Sequence, residues 1–172
     1  MKRYFKLFIV FFILIALDIL VKSYVYHNIP KMSFMHPFFP YGGIGVFKDF
    51  FGVSFSIVYV ENTGAAWGLF SKYPTLLFCI RSIIVIGLVI YLGFFNKDIR
   101  KDMPLVLIIT GALGNIIDFI FYKKVIDMFH FNFWGYSYPI FNLADSMITI
   151  GIIWLFFRFF KKAKNKNKNK KV

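Results

Sequence analysis

Four stretches of the chain stay apolar for long enough to cross a hydrocarbon layer, and polar intervals separate them. They cover residues 4–26, 74–95, 104–121 and 142–160. Each has roughly 18 to 25 residues, which at about 1.5 Å per helical residue spans a bilayer core of about 30 Å. Between the first two, residues 53–60 read V-S-F-S-I-V-Y-V. Polar and apolar positions alternate and then become wholly apolar, a pattern that predicts a strand. Ahead of it, Pro37, Pro40, Gly42, Gly43 and Gly45 interrupt an aromatic stretch suited to lying on the membrane surface. The pattern therefore predicts an all-α membrane fold of four transmembrane helices, with a small extracytoplasmic β-sheet in the loop between helices 1 and 2. The outer loops are residues 27–72 and 122–141. Residues 1–160 make the membrane domain, and 161–172 make a basic tail, K-K-A-K-N-K-N-K-N-K-K followed by Val172, too low in complexity to pack.

Composition agrees with a bilayer as solvent, since 172 residues that are 59% hydrophobic, 25 of them Phe, exceed what one soluble core can bury. The net charge of +13 belongs largely to the tail: Arg158 and seven lysines between 161 and 171 carry eight of the 21 cations. Attraction to anionic cytoplasmic phospholipid accounts for that cluster, and nucleic acid is not an expected partner. Lys2, Arg3 and Lys6 precede helix 1, and Lys97, Arg100 and Lys101 join helices 2 and 3. By the positive-inside rule both termini are cytoplasmic. Helix 1 resembles a secretory signal at its start, but its apolar stretch is too long and lacks a small-residue cleavage site, so it is retained. The single Cys79 excludes an intrachain disulfide and a cysteine metal cluster, and reads as a small buried apolar residue.

The acids then become the informative residues. Asp127, in V-I-D-M, lies just beyond helix 3, and Asp145, in Y-P-I-F-N-L-A-D, opens helix 4. The two carboxylates can face each other at one membrane surface, an arrangement suited to hydrolysis by a pair that shares a proton. Their plainer readings are a solvated loop acid and a helix-capping acid beside Asn142. A cation site of an ion-coupled transporter, built from Asp118, Asp127, Asp145 and asparagine oxygens, is the alternative function, although no inverted repeat is evident. Asp18 and Lys22, four apart in helix 1, form an ion pair on one face near its outer end. Gly111 and Gly114 suit close helix contact, and Asn115 and Asp118 share a face of helix 3. Asn62 and Gly64 suggest a tight turn, while Ala65, Ala66 and Gly68 permit close backbone approach. Arg81 is costly inside helix 2 unless it snorkels or finds a partner, and no role follows for it. His27, His36 and His130 lack ligand-like spacing, and no Ser or Cys nucleophile is paired to a base.

Five blocks in order, D-I-L-V-K at 18–22, V-E-N-T-G-A-A-W-G at 60–68, G-A-L-G-N-I-I-D at 111–118, V-I-D at 125–127 and P-I-F-N-L-A-D at 139–145, resemble the lipoprotein signal peptidase (signal peptidase II) family. The resemblance implies a bacterial inner-membrane aspartic endopeptidase that removes the signal peptide from diacylglyceryl-modified prolipoproteins on the N-terminal side of the lipidated cysteine. It implies that Asp127 and Asp145 are catalytic, that Asn62, Asn115 and Asn142 surround them, that no metal or cofactor is used, and that globomycin-type inhibitors bind. The active site then faces outward from the cytoplasmic membrane. One departure stands out: the family pattern places Arg after the acid of N-x-x-D, whereas Phe119 follows Asp118 here. Lys123, four residues on, reaches a similar place if helix 3 continues.

Overall fold

The computed structural model describes residues 2–33, 35–64 and 70–168, excepting the side chains of Lys2 and of 162–168. Ala65, Ala66 and Gly68 lie outside the described residues, as do residues 169–172 of the tail. Helix α1 covers Lys2–Asn28, α2 Pro74–Ile90, α3 Asp102–Tyr122 and α4 Leu143–Lys168. A wider helical turn, Tyr91–Phe95, prolongs α2, and all four helices are long and apolar enough to cross a membrane.

Helix α3 is the central one. Over its apolar window 56% of residues are buried, against 17%, 6% and 17% for the windows of α1, α2 and α4. The other three helices all contact it. Small residues permit this: a Cβ at Gly111 would strike the carbonyl of Ala144 in α4, and one at Gly114 would strike the Asp18 carboxylate. On α1 the buried positions Ile15, Asp18, Lys22 and Val25 recur at helical spacing, so the acid and the base sit on the inward stripe. The outward faces expose Ile83 and Ile86 on α2 and Phe156, Phe157 and Phe159 on α4. So much uncovered apolar surface is what lipid contact requires. Cys79 also lies exposed on α2, contrary to the expectation of a buried residue.

Four antiparallel strands form one sheet in the order β1 (Ile44–Phe50), β2 (Val53–Asn62), β3 (Val125–Phe133), β4 (Tyr136–Ser137). This corrects the sequence expectation of a sheet confined to the loop between helices 1 and 2, because the second outer loop supplies half of it. The physical reason is that β2, nowhere exposed, must satisfy its backbone groups on both edges. Residues 129–133, F-H-F-N-F, alternate as a strand should, yet only pairing with β2 identifies them. Both hairpins close through two residues of positive φ, Phe51-Gly52 and Trp134-Gly135, the turn whose twist suits adjoining strands. Their tips meet, with Trp134 N–H donating to the Gly52 carbonyl at 2.7 Å. Val25 of α1 and Ile29 just beyond its end then pack with Tyr59, Ile126 and Met128, seating the sheet on the helical bundle.

Candidate functional site

Asp127 is buried and held by strand pairing, not placed in a solvated loop, its plainer reading from sequence. In the β2–β3 register Val60 lies opposite Asp127 and Asn62 opposite Val125. Because side chains alternate with period two, Asn62 and Asp127 are diagonal neighbours on one face. Asn62 Nδ2 accordingly donates to Asp127 Oδ2 at 2.9 Å. Asn62 Oδ1 accepts from the Gly64 N–H at 2.8 Å, which fixes the amide's orientation and supplies the expected tight turn.

Asp145 is held by the start of α4. Its N–H donates to Asn142 Oδ1 at 2.9 Å, while its Oδ2 accepts from the Asn142 N–H at 3.3 Å. This reciprocal cap satisfies two otherwise unpaired helix donors. The other end of the same amide reaches back to the sheet: Asn142 Nδ2 donates to Asp127 Oδ1 at 2.7 Å and to Asn115 Oδ1 at 3.2 Å. Asn142 thus links the two carboxylates, which lie 18 positions apart in sequence.

Asn115 completes the link from α3. Its Nδ2 donates to Asp145 Oδ1 at 2.8 Å, and its Oδ1 also accepts from Lys22 Nζ at 3.1 Å. Lys22 in turn lies 2.8 Å from Asp18 and 2.9 Å from Asp118. The predicted Asp18–Lys22 pair therefore forms, but as part of a buried triad rather than as an ion pair at the interface. Lys22 is 1% exposed and Asp18 0%. Asp118 Oδ2 also accepts from the Ile126 N–H at 3.2 Å, tying α3 to the strand that carries Asp127.

Both candidate carboxylates line a cavity of about 430 Å³, with Asn62, Gly64 and Asn115 beside them and Tyr138, Phe141 and Thr149 completing its wall. Burial, followed by the field of Asp145, pushes the Asp127 carboxyl up to about 7, although the Asn62 and Asn142 amides work the other way. Next to Asn62, burial acts to raise the Glu61 carboxyl, but hydrogen bonds from Lys124, Lys31 and Tyr59 outweigh it and hold it at about 2. That anchored carboxylate clamps the end of β2, and nothing in the sequence had distinguished it.

Two other residues depart from the expectation. Helix α3 stops at Tyr122, and Lys123 adopts a left-handed φ of 60° as its cap. Its ammonium sits 6.0 Å from the centre of the Phe119 ring and does not line the cavity. Arg81, to which the sequence assigned no role, does line it. Its being the only charged residue in 74–95 was the available signal.

The signal peptidase (SPase) II family model matches residues 10–161. This chain belongs to the signal peptidase II family. Among its relatives, a lipoprotein signal peptidase of Chlamydia muridarum is 36% identical over 89% of this chain and 90% of its own length. Another of that name, from Bacillus pumilus, is 35% identical over 87% of this chain and 88% of its own. A bacterial membrane enzyme structure solved by the in meso method at 2.3 Å superposes with a TM-score of 0.78 at 29% identity, covering 94% of this chain and 91% of that one. Membership of the signal peptidase II family makes the protein a multi-pass bacterial membrane peptidase, and its four apolar helices agree.

Proposed function

We propose that the protein cleaves the signal peptide from diacylglyceryl-modified prolipoproteins on the N-terminal side of the lipidated cysteine, with Asp127 and Asp145 as the catalytic pair. The observation that carries this reading is that two carboxylates from separate elements border one cavity and are held there by amides, not by cations. Amides orient a carboxylate without neutralising it, so the pair keeps a proton to exchange. The ion-coupled transporter alternative is not favoured, because the family match is to a peptidase.

In this mechanism Asp127 holds the proton, as its raised affinity allows, and Asp145 is the anion, favoured by its place in the first turn of α4. Asp145 takes a proton from water as the water oxygen attacks the scissile carbonyl carbon. Asp127 donates its proton to the carbonyl oxygen. Collapse of the tetrahedral intermediate then breaks the C–N bond, and the leaving nitrogen receives the proton from Asp145 while Asp127 recovers its own. Asn62, Asn115 and Asn142 position the two acids.

The same reading puts both termini in the cytoplasm and the pair at the outer face of the cytoplasmic membrane. Arg3 supports it by binding Asp102 at 2.5 Å, so that the cation-rich start of α1 and the basic link before α3 share one end of the bundle. Residues 1–160 form the protease domain, and 161–172 a tail that meets anionic phospholipid. The exposed aromatic tips, Phe51 and Trp134, suit the opposite interface. Globomycin-type inhibitors would occupy the cavity.

Purified protein incubated with a lipidated and an unlipidated prolipoprotein tests the function. Mass spectrometry should find only the lipidated form cut, immediately before its modified cysteine. Asp127→Asn and Asp145→Asn should each lower the rate by at least about 10³ while retaining the fold. Uncut substrate together with ion flux through reconstituted vesicles would sink the proposal.

A further inference from the structure

Arg81 is the cation that borders the cavity, and it is half-buried within an apolar helix. Phe78, Arg81 and Val85 follow one another at helical spacing on the face of α2 that meets α3. Val85 is buried, and Phe78 stacks on Phe119 of α3 at 5.1 Å. Arg81 lies seven positions along α2 from Pro74, about 10 Å of helix. Its Nη2 donates to the Gly64 carbonyl at 3.2 Å. Among the described residues no carboxylate lies within ion-pairing reach of it. A guanidinium has five N–H donors; among the described residues the bond to Gly64 is the one hydrogen bond the Arg81 side chain makes, and the residue lines the cavity.

The cavity also indicates what would use it. Thr149 and Ile150 line it one turn of α4 deeper than Asp145, and Ile150 is also exposed on the lipid-facing side. The space therefore runs from the carboxylates toward the hydrocarbon with Arg81 on its wall. Resting on the function proposed above, we propose that Arg81 docks the glyceride ester oxygens of the substrate's lipidated cysteine and so acts as a specificity-determining residue. An uncharged carbonyl acceptor satisfies guanidinium donors without bringing a second charge into lipid, and a charge-assisted bond there is stronger than an amide's would be.

The test is binding of fluorescent lipopeptides, one bearing a diacyl ester glyceride and one its diether analogue, to the intact protein in neutral detergent micelles and in phosphate-bearing nanodiscs. Arg81→Gln should weaken ester binding by about tenfold in both settings. It should raise KM similarly, and leave kcat and melting temperature near wild type. Arg81→Lys should lie between. The diether should bind wild type as weakly as the ester binds Arg81→Gln, and be indifferent to the substitution. Unchanged ester binding by Arg81→Gln overturns the assignment. So does equal weakening of ester and diether, which would mean that Arg81 acts by shaping the Gly64 turn. A loss confined to nanodiscs would assign the guanidinium to bulk lipid phosphate instead. Binding does not need turnover: ester-dependent binding without cleavage would refute the hydrolase reading alone, and cleavage indifferent to Arg81 would refute this inference alone.

Discussion

On one side of Asn115 lie Asp18 and Asp118, and on the other lie Asp127 and Asp145. All but Asp145 are fully buried, and they are the same chemical group, yet their partners divide them. The first two share the ammonium of Lys22 at 2.8 and 2.9 Å. The second two are met by asparagine amides and backbone N–H groups. Two carboxylates that share one buried ammonium tie their helices together. A carboxylate surrounded by amides remains able to gain and lose a proton. Asn115 touches both sets, through Oδ1 to Lys22 and through Nδ2 to Asp145. The structural triad thereby braces the proposed catalytic pair.

Removing the one cation breaks this comparison most severely. Lys22→Met leaves two buried acids uncompensated and should cost about 3–5 kcal/mol, read as a fall in melting temperature and in recovered folded protein. Adding Asp18→Asn and Asp118→Asn to it should recover most of that stability. A Lys22→Met protein as stable as wild type would show that the triad is not structural.

Titration sharpens the contrast. Asp127 binds its proton up to about pH 7 in the folded protein but only to about 3.8 in the unfolded chain. Between those values the folded state holds more protons, so stability declines as pH rises from about 4 to 7 and stays lower above that. The three-unit difference corresponds to about 4 kcal/mol. Thermal melts across this range should show the decline in wild type and lack its Asp127 component in Asp127→Asn. Cleavage should fall over the same alkaline limb, and a rate flat from pH 6 to 9 would contradict Asp127 as the proton donor.

Asn62→Ala should be milder. It removes a donor that favours the ionised form of Asp127, so the alkaline limb should move to higher pH, with a rate loss at neutral pH of about tenfold. A limb displaced toward acid would reverse the assigned role. Smallest of all is Lys123→Ala, which should leave KM unchanged, since this side chain is exposed and outside the cavity. A raised KM would restore Lys123 as the stand-in for the cation missing at Phe119.

Local pattern carried the helices well. Expected boundaries at 74–95 coincide with the span Pro74–Phe95, and those of α1 and α3 differ by about two residues. Asp127 and Asp145 were legible too, because an acid near the end of an apolar run stands out, whereas Asn62, Asn115 and Asn142 were tied to them by the family resemblance. The sheet was half legible: the alternation in β2 was visible, while β3 needed a partner distant in sequence to become a strand. Glu61 stayed hidden because its significance lies in Lys31, Lys124 and Tyr59 converging on it. Lys123 was misjudged because helix spacing holds only while the helix lasts.

The chain's own hydropathy determined that there are four spans and which residues open and close them, since transfer into lipid is summed along a short window. Which acid keeps its proton and which is bound to a cation was decided only when β2 paired with β3 and α1 met α3. Desolvation and hydrogen bonding depend on neighbours in space, and those neighbours come from segments as far apart as Lys22 and Asn142.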